Sequence, residues 1–393
     1  MPTLGIYVQV PFCASKCTFC NFSSRVEHDS IFDPYTRSLV LEAERLGKFL
    51  GARGISRKIL SFPVDSLYLG GGTPTVLGEE RLGILVPALM AHLDWREEFE
   101  FTLETTPGSA DRALLRSLRD LGVNRLSIGA QTFEDGELRA VGRLHSATDT
   151  SDLVKLSRES GFTNLSLDLI AGLPNQTVIS FRRSLEAAAT LRPEHISLYL
   201  FEIDKNSRLG REVVQGGNRY QATVVPSEEF MADAYEYACE FFSDEGYVQY
   251  EISNFALPGY ESLHNQKYWK LEPYLGLGAG AHSFDGLGRW ANHVDVRTYM
   301  KKLGDGNSPI EDFRILSTEE QVEEFFFLGL RQMEGVDLAW ARERWGVDSL
   351  KPWENKILPL VGNRGLVLEG ARVRLSQDAR LISNEVFQEF VSP

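Results

Sequence analysis

Residues 4–22 read LGIYVQVPFCASKCTFCNF, a stretch in which a short apolar run leads directly into a loop with three cysteines. The run at residues 5–10 predicts a strand. Cys13, Cys17 and Cys20 follow it at C-x3-C-x2-C spacing. Three of the four cysteines thus fall within eight residues, which predicts a metal or redox site in a reducing compartment and disfavours a disulfide framework.

Short apolar runs alternate with longer amphipathic stretches from residue 5 to about residue 203. We predict six strands, at residues 5–10, 66–69, 99–104, 125–129, 164–169 and 195–201. Helices are predicted between them at residues 34–50, 79–93, 111–121, 148–160 and 178–191. This alternation indicates parallel pairing through right-handed crossovers. Six units fall short of a complete eight-fold barrel, so we expect an α/β fold, an open partial (β/α)6 barrel with strands lined by apolar side chains.

The remainder of the chain is predicted to form an extension and a small module. We expect the barrel at residues 1–205, a cap or extension at 206–310 with a helix at 227–242, and an α+β winged-helix-like module at 311–393. The module is predicted to contain helices at 318–332, 338–345 and 352–361, then a hairpin turning near Glu369 and Gly370. A structural or partner-docking role is expected for it.

Composition excludes several classes of function. Hydrophobic residues make up 43% of the chain and charged residues 24%, which is typical of a soluble globular protein. The net charge of −14 disfavours nucleic acid as a partner. No apolar run reaches the roughly 20 residues of a membrane helix, and residues 1–10 lack the features of a signal peptide. We therefore expect a cytoplasmic protein without an integral membrane segment.

The cysteine loop suits an iron–sulfur cluster, because thiolates are soft ligands and a short loop can wrap three of them around one face of a cubane. One iron of a [4Fe-4S] cluster would then lack a protein ligand. A zinc site is the alternative. A closed structural zinc site needs four protein ligands, so a distant histidine would have to supply the fourth. Cys239 lies in an apolar-periodic helical stretch, which predicts core packing.

Polar residues recur near the carboxyl ends of the predicted strands, the edge at which α/β enzymes build their sites. Glu104, Gln131 and Asp168 occupy such positions, and the glycine-rich loop at residues 69–75 follows the second strand. Each carboxylate alone can equally cap a helix or pair with an arginine. Their recurrence at matching heights indicates a shared pocket.

The cysteine motif after a first strand resembles the radical S-adenosylmethionine (SAM) superfamily. That resemblance implies that the amino and carboxylate groups of SAM bind the open iron. It also implies that the cluster, once reduced by an electron donor, cleaves SAM to a radical. It also implies that Phe19 packs on the adenine. The further residues that it places at the SAM site or near the cluster are Tyr7, Gly71, Gly72, Thr73, Glu104, Gln131, Arg143 and Asp168.

Nearly the whole chain resembles the oxygen-independent coproporphyrinogen III oxidase-like family, through segments such as YLGGGTPT, NRLSIGAQTF, DLIAGLPNQT and YLGLGAGAHS. The oxidases carry a further cysteine two residues after the third and a longer amino-terminal segment, whereas here Phe22 holds that position and twelve residues precede Cys13. Both departures point to the HemW haem chaperone branch. The family often has Asp where this chain has Asn21.

For that branch, the segment HNQKYW at residues 264–269 implies haem binding, with His264 as the candidate iron ligand and His282 as a weaker one. A buried or surface histidine among ordinary aromatics is the plainer interpretation. The function expected is a haem-binding chaperone that delivers haem to acceptor haemoproteins and lacks coproporphyrinogen oxidase activity. The alternatives are that oxidase, acting in porphyrin biosynthesis, and a zinc-stabilised binding module.

Overall fold

The computed structural model describes residues 2–362 and 365–391. Its strands are β1 Leu4–Val10, β2 Val64–Gly71, β3 Trp95–Thr105, β4 Arg125–Gln131, β5 Leu165–Ala171, β6 His195–Leu200, β7 Val248–Glu251, β8 Asn254–Ala256, β9 Tyr274–Leu277, β10 His282–Phe284, β11 Gly288–Asn292, β12 Ile310–Ile315, β13 Val336–Asp337, β14 Leu366–Glu369 and β15 Arg372–Leu375.

The α-helices are α1 Phe32–Ala52, α2 Gly78–His92, α3 Arg112–Asp120, α4 Asp135–Ala140, α5 Ala147–Glu159, α6 Val178–Thr190, α7 Arg208–Val214, α8 Glu228–Asp244, α9 Leu263–Trp269, α10 Val296–Gly304, α11 Thr318–Gly329, α12 Leu338–Trp345, α13 Val347–Leu360 and α14 Ser383–Gln388. Short 3₁₀ helices lie at Asp29–Ile31, Arg57–Ser61, Pro74–Leu77 and Arg219–Val224. None of the helices in the described part of the chain combines the length and apolarity that a bilayer-crossing segment needs.

Strands β1 to β6 form the predicted α/β core. They pair in parallel and in chain order, from β1 beside β2 to β5 beside β6. The six predicted strands and the five predicted crossover helices all form, with ends within a few residues of their predicted positions. The partial (β/α)6 arrangement is therefore confirmed.

The segment between the barrel and the C-terminal helices lengthens the sheet at both edges. Beyond β1 come β9, which is parallel to it, and then β10, β11 and β12 in antiparallel order. Beyond β6 come β8 and β7, also antiparallel. The proposed boundaries at residues 205 and 310 stay a prediction.

The interior face of the barrel strands is polar, so the prediction that apolar side chains line it was wrong. Along β4, Leu126, Ile128 and Ala130 are fully buried, while Arg125 and Ser127 alternate with them and line a cavity. Parallel strands under a helix layer send successive side chains to opposite faces. The apolar set therefore packs with the helices in the main hydrophobic cluster, and the polar set lines the cavity.

The C-terminal module differs from its prediction in several details, among them the added helix α14. Its ribbon has three strands, because the two-residue β13 pairs with β15 beside the predicted hairpin of β14 and β15. Helix α13 begins five residues earlier than predicted and contains Pro352, since Leu350 is buried in the core of the module. Helix α12 has its predicted bounds.

Helix α1 is joined to the added strands by Glu42, which is buried. Its carboxylate accepts hydrogen bonds from the Tyr299 hydroxyl at 2.5 Å, Asn292 Nδ2 at 2.6 Å and the Gly278 amide at 2.8 Å. Burial, which disfavours the charged form, raises the pKa of Glu42 to about 7. The three donors partly oppose that shift by stabilising the carboxylate.

We predict that Tyr299→Phe lowers the thermal unfolding midpoint more at pH 8.5 than at pH 5.5. The hydroxyl stabilises the ionised carboxylate, and a hydrogen bond to a charged group contributes about 1.5–3 kcal/mol. A carboxyl whose pKa is higher in the folded than in the unfolded protein makes the folded state less stable as the pH rises from the lower to the higher of these two pKa values. Losing the Tyr299 hydrogen bond raises the pKa of Glu42 in the folded state further and so increases this loss of stability.

Tyr35→Phe is the matched control. Tyr35 is equally buried, but its hydroxyl donates to the Gln9 carbonyl and accepts from the Ala279 amide. It should lose stability by similar amounts at both pH values. Equal pH profiles for the two variants would contradict the role given to Glu42.

Candidate radical SAM site

A cavity of about 1140 Å³ lies on the polar face of the barrel strands. Its lining includes residues at the carboxyl ends of β2, β3, β4 and β6, together with the cysteine loop. Every residue predicted for the cluster and for SAM lines it, namely Tyr7, Cys13, Cys17, Phe19, Cys20, Gly71, Gly72, Thr73, Glu104, Gln131, Arg143 and Asp168. His264 does not line it.

The three loop cysteines are free thiols, each with a polar neighbour. Thr73 Oγ1 donates to Cys13 Sγ at 3.8 Å, Arg143 Nη1 donates to Cys17 Sγ at 3.4 Å, and Cys20 Sγ lies 3.6 Å from a serine hydroxyl. Burial raises the pKa of Cys13. Hydrogen bonds from Thr73 and Ser24 partly oppose that shift by stabilising the thiolate, the form that binds iron.

The loop fits a cluster better than a single metal ion. Within residues 2–362 and 365–391, no group of three or more His, Cys, Asp or Glu side chains is placed to hold one ion. The thiolates of a cubane need no such convergence, because each binds a different iron. Phe19 lies between the last two cysteines and packs against a small hydrophobic cluster that contains Val141, Leu173 and Phe201.

The glycine loop after β2 has no room for side chains. Gly71 has a φ of 101°, and a Cβ there would lie 2.4 Å from Gln9; a Cβ on Gly72 would lie 2.4 Å from the Phe12 carbonyl oxygen. The Gly71 amide donates to Glu104 Oε2 at 2.9 Å, and Tyr68 donates to Glu104 Oε1 at 2.9 Å. Close backbone approach thus fixes the Glu104 carboxylate beside the cysteine loop.

Two partly buried carboxyls face the cavity with raised pKa values. Burial raises the pKa of Glu104 to about 7, and the charge of Asp168 adds to that shift. Burial also raises the pKa of Asp168 to about 6, while hydrogen bonds from Ser197 and Ser127 and the charge of Arg125 oppose it. These pKa values lie near neutral pH. In their ionised form both carboxylates can accept hydrogen bonds from hydroxyl or ammonium groups.

The end of β4 is distorted where Gln131 enters the cavity. Gln131 has a φ of 70°, and the register between β4 and β5 shifts between Ile128 and Gln131. A non-glycine residue in this left-handed region is uncommon and typically marks a functional site. Arg143 lies next to it, donates to the Gly129 carbonyl and has a buried Nε without a hydrogen-bond partner.

Several cavity residues were missed by sequence reasoning. They are Gln9, Tyr68, Arg125, Ser127, His145, Ser197, Tyr199, Arg331 and Arg380. Those on strands could have been found from the two-residue period, since Gln9 shares a face with Tyr7 and Ser127 shares one with Gln131. Arg331 and Arg380 reach the cavity only through tertiary packing, so no local signal identifies them.

His264 lies in the interior. Its Nδ1 is 3.0 Å from the Ser66 hydroxyl and its Nε2 is 2.9 Å from the Tyr268 hydroxyl. Burial, with the nearby positive charges of Lys267 and Arg125, lowers its pKa to about 3. Its role as haem ligand stays a prediction. To bind haem iron, Nε2 would have to give up its hydrogen bond with the Tyr268 hydroxyl.

His282 is placed differently. Its side chain is exposed and lines the cavity at the start of β10. Partial burial lowers its pKa, which favours the neutral imidazole that binds metals. Asn21, at the position where Asp was expected, donates to Asp204 Oδ2 at 2.8 Å, whereas an aspartate there would face a second carboxylate.

Comparison with known proteins shows which families and relatives the chain is similar to. The family model of the radical SAM superfamily matches residues 7–188, and that of the HemN C-terminal domain matches residues 316–382. The heme chaperone HemW of Bacillus subtilis is 35% identical over 98% of both chains. That of Lactococcus lactis is 32% identical over 98% of this chain and 96% of its own.

The solved structure of Escherichia coli coproporphyrinogen III oxidase (HemN), titled a radical SAM enzyme, superposes with a TM-score of 0.85. The superposition covers 99% of this chain and 90% of that chain at 22% identity, a likeness that shows the fold alone. The cysteine loop lies inside the segment that matches the radical SAM family, and the relatives above 30% identity span nearly the whole chain. The chain therefore belongs to the HemW family of the radical SAM superfamily.

Proposed function

We propose that this protein is a haem-binding chaperone that holds a [4Fe-4S] cluster and SAM and passes haem to acceptor haemoproteins. The observation that carries the proposal is the cavity of about 1140 Å³, which is shared by the cysteine loop and by residues of the C-terminal module. Pockets for one small ligand usually span about 300–1000 Å³, so this one is larger than a typical single-ligand pocket. The names of the relatives, heme chaperones, support the cargo.

The chain's own residues would hold the cofactors. Cys13, Cys17 and Cys20 would bind three irons and leave the fourth open. The backbone of Gly71 and Gly72 would approach the SAM amino group, Asp168 and Glu104 would accept hydrogen bonds from its hydroxyl and amino groups, and Arg143 would face its carboxylate. When bound, the cluster and SAM supply one-electron chemistry. An electron donor protein and a cytoplasmic location belong to the same proposal.

Replacing Cys13, Cys17 or Cys20 singly by Ala is expected to abolish the visible absorption of the cluster and to lower bound iron and sulfide to near background. The reason is ligand count, since one iron already lacks a protein ligand. Anaerobic reconstitution followed by iron and sulfide analysis measures the loss. Cys239→Ala is the control, because Cys239 packs beside Tyr235 and Gln249 outside the cavity lining. Equal iron in all four variants would refute the assignment.

We expect no oxidase activity. Anaerobic incubation of the reconstituted protein with SAM, reductant and coproporphyrinogen III should leave the propionate groups intact, and chromatography of the products should detect no protoporphyrinogen IX. An authentic coproporphyrinogen oxidase serves as positive control. Formation of protoporphyrinogen IX would contradict the chaperone proposal and show that the protein is an oxidase.

Two histidine variants test which imidazole binds haem iron. We expect His282→Ala to shift the Soret band and weaken haem binding by about tenfold or more, because His282 already faces the cavity. His264→Ala should mainly lower thermal stability, since it leaves the Ser66 and Tyr268 hydroxyls unpaired. A Soret shift confined to His264→Ala, in a folded protein, would assign the ligand to His264 instead.

A further inference from the structure

Two arginines from the C-terminal part of the chain line the same cavity as the cysteine loop. Arg331 follows α11, and Arg380 lies between β15 and α14. Both contact β7: Arg331 Nη2 lies 3.4 Å from Glu251 Oε2, and Arg380 Nη1 donates to Gln249 Oε1 at 2.6 Å. The sheet edge thus orients two guanidinium groups on one wall of the cavity.

The positive charge of this pair is only partly balanced. Glu251 pairs with Arg331 through Oε2, while its Oε1 accepts from the Ser253 amide and Asn254, so the two guanidinium groups share one nearby carboxylate. Arg380 bonds a neutral amide and has no carboxylate within 4.0 Å in the described ranges 2–362 and 365–391. The Nε atoms of both arginines are buried and have no hydrogen-bond partner among the residues that the structure describes. A cationic wall in a chain of net charge −14 calls for an anionic ligand.

The HNQKYW segment supports this wall. The Arg331 guanidinium carbon lies 4.5 Å from the Trp269 ring centroid, and Asn265 of the same segment lines the cavity. A guanidinium stacked on an indole ring loses little freedom when it binds a carboxylate. The segment therefore contributes to the cavity through Asn265 and through Trp269 under Arg331.

We propose that Arg331 and Arg380 form a carboxylate-binding subsite, which holds the propionate groups of a tetrapyrrole inside the cavity. This inference rests on the proposed function. Arginine suits the role, since its planar fork pairs with carboxylate oxygens through two parallel hydrogen bonds. Trp269 is a positioning residue for Arg331.

The test compares haem with its dimethyl ester, in which both carboxylates are neutral, on the cluster-reconstituted full chain. The wild type should bind haem at least about tenfold more tightly than the ester, the effect of one charge-assisted bond. Arg331→Gln and Arg380→Gln should each weaken haem binding by about tenfold and leave ester binding unchanged. Trp269→Leu should reduce the preference for haem, since it removes the ring beneath Arg331.

Arg342→Gln is the matched control, because Arg342 pairs with Glu354 on the surface of the same module. Iron content and the thermal midpoint verify that each variant is folded. If the wild type binds haem and ester equally, or if the variants weaken both equally, the subsite is refuted while the chaperone function stands. If the wild type binds neither, both proposals fail.

Discussion

The two-residue period of the six parallel strands is the constraint on which the site depends. One face of each strand must be apolar to bury the helix layer, so every functional group of the barrel is confined to the other face. This is why Glu104, Ser127 and Asp168 come together although they lie on three strands. The same arrangement removes them from water, and the pKa values of Glu104 and Asp168 rise towards neutrality for that reason.

The core elements could be predicted because their signals are local. Each strand is a short apolar run, each crossover helix is amphipathic, and the three cysteines lie within eight residues. Strands β7 to β12 have only three to six residues each, which is too short for a clear two-residue period, so no local pattern identified them. The polar barrel interior was mispredicted by analogy with complete barrels, whose interiors are filled by apolar side chains.

The HNQKYW segment shows why a motif does not fix the place of its residues. In helix α9, His264 and Lys267 point inwards, and Lys267 Nζ pairs with Asp65 at 2.8 Å and Glu272 at 3.1 Å. Glu100 accepts from the Leu263 and His264 amides at the start of the helix. These residues anchor the helix under β2 and β3, whereas Asn265 and Trp269 face the other way. The sequence shows which six residues the segment contains, but it does not show which of them point into the interior and which face the other way.

A shared cavity also relates the two parts of the proposed function energetically. If haem and SAM occupy one space, whatever SAM does to haem affinity, haem does to SAM affinity by the same factor. A carrier must bind its cargo and then release it, which requires that some other event change the affinity. The contacts on which such a change would act lie on different elements, because Arg331 and Arg380 belong to the C-terminal part of the chain, while Glu104, Arg143 and Asp168 belong to the barrel.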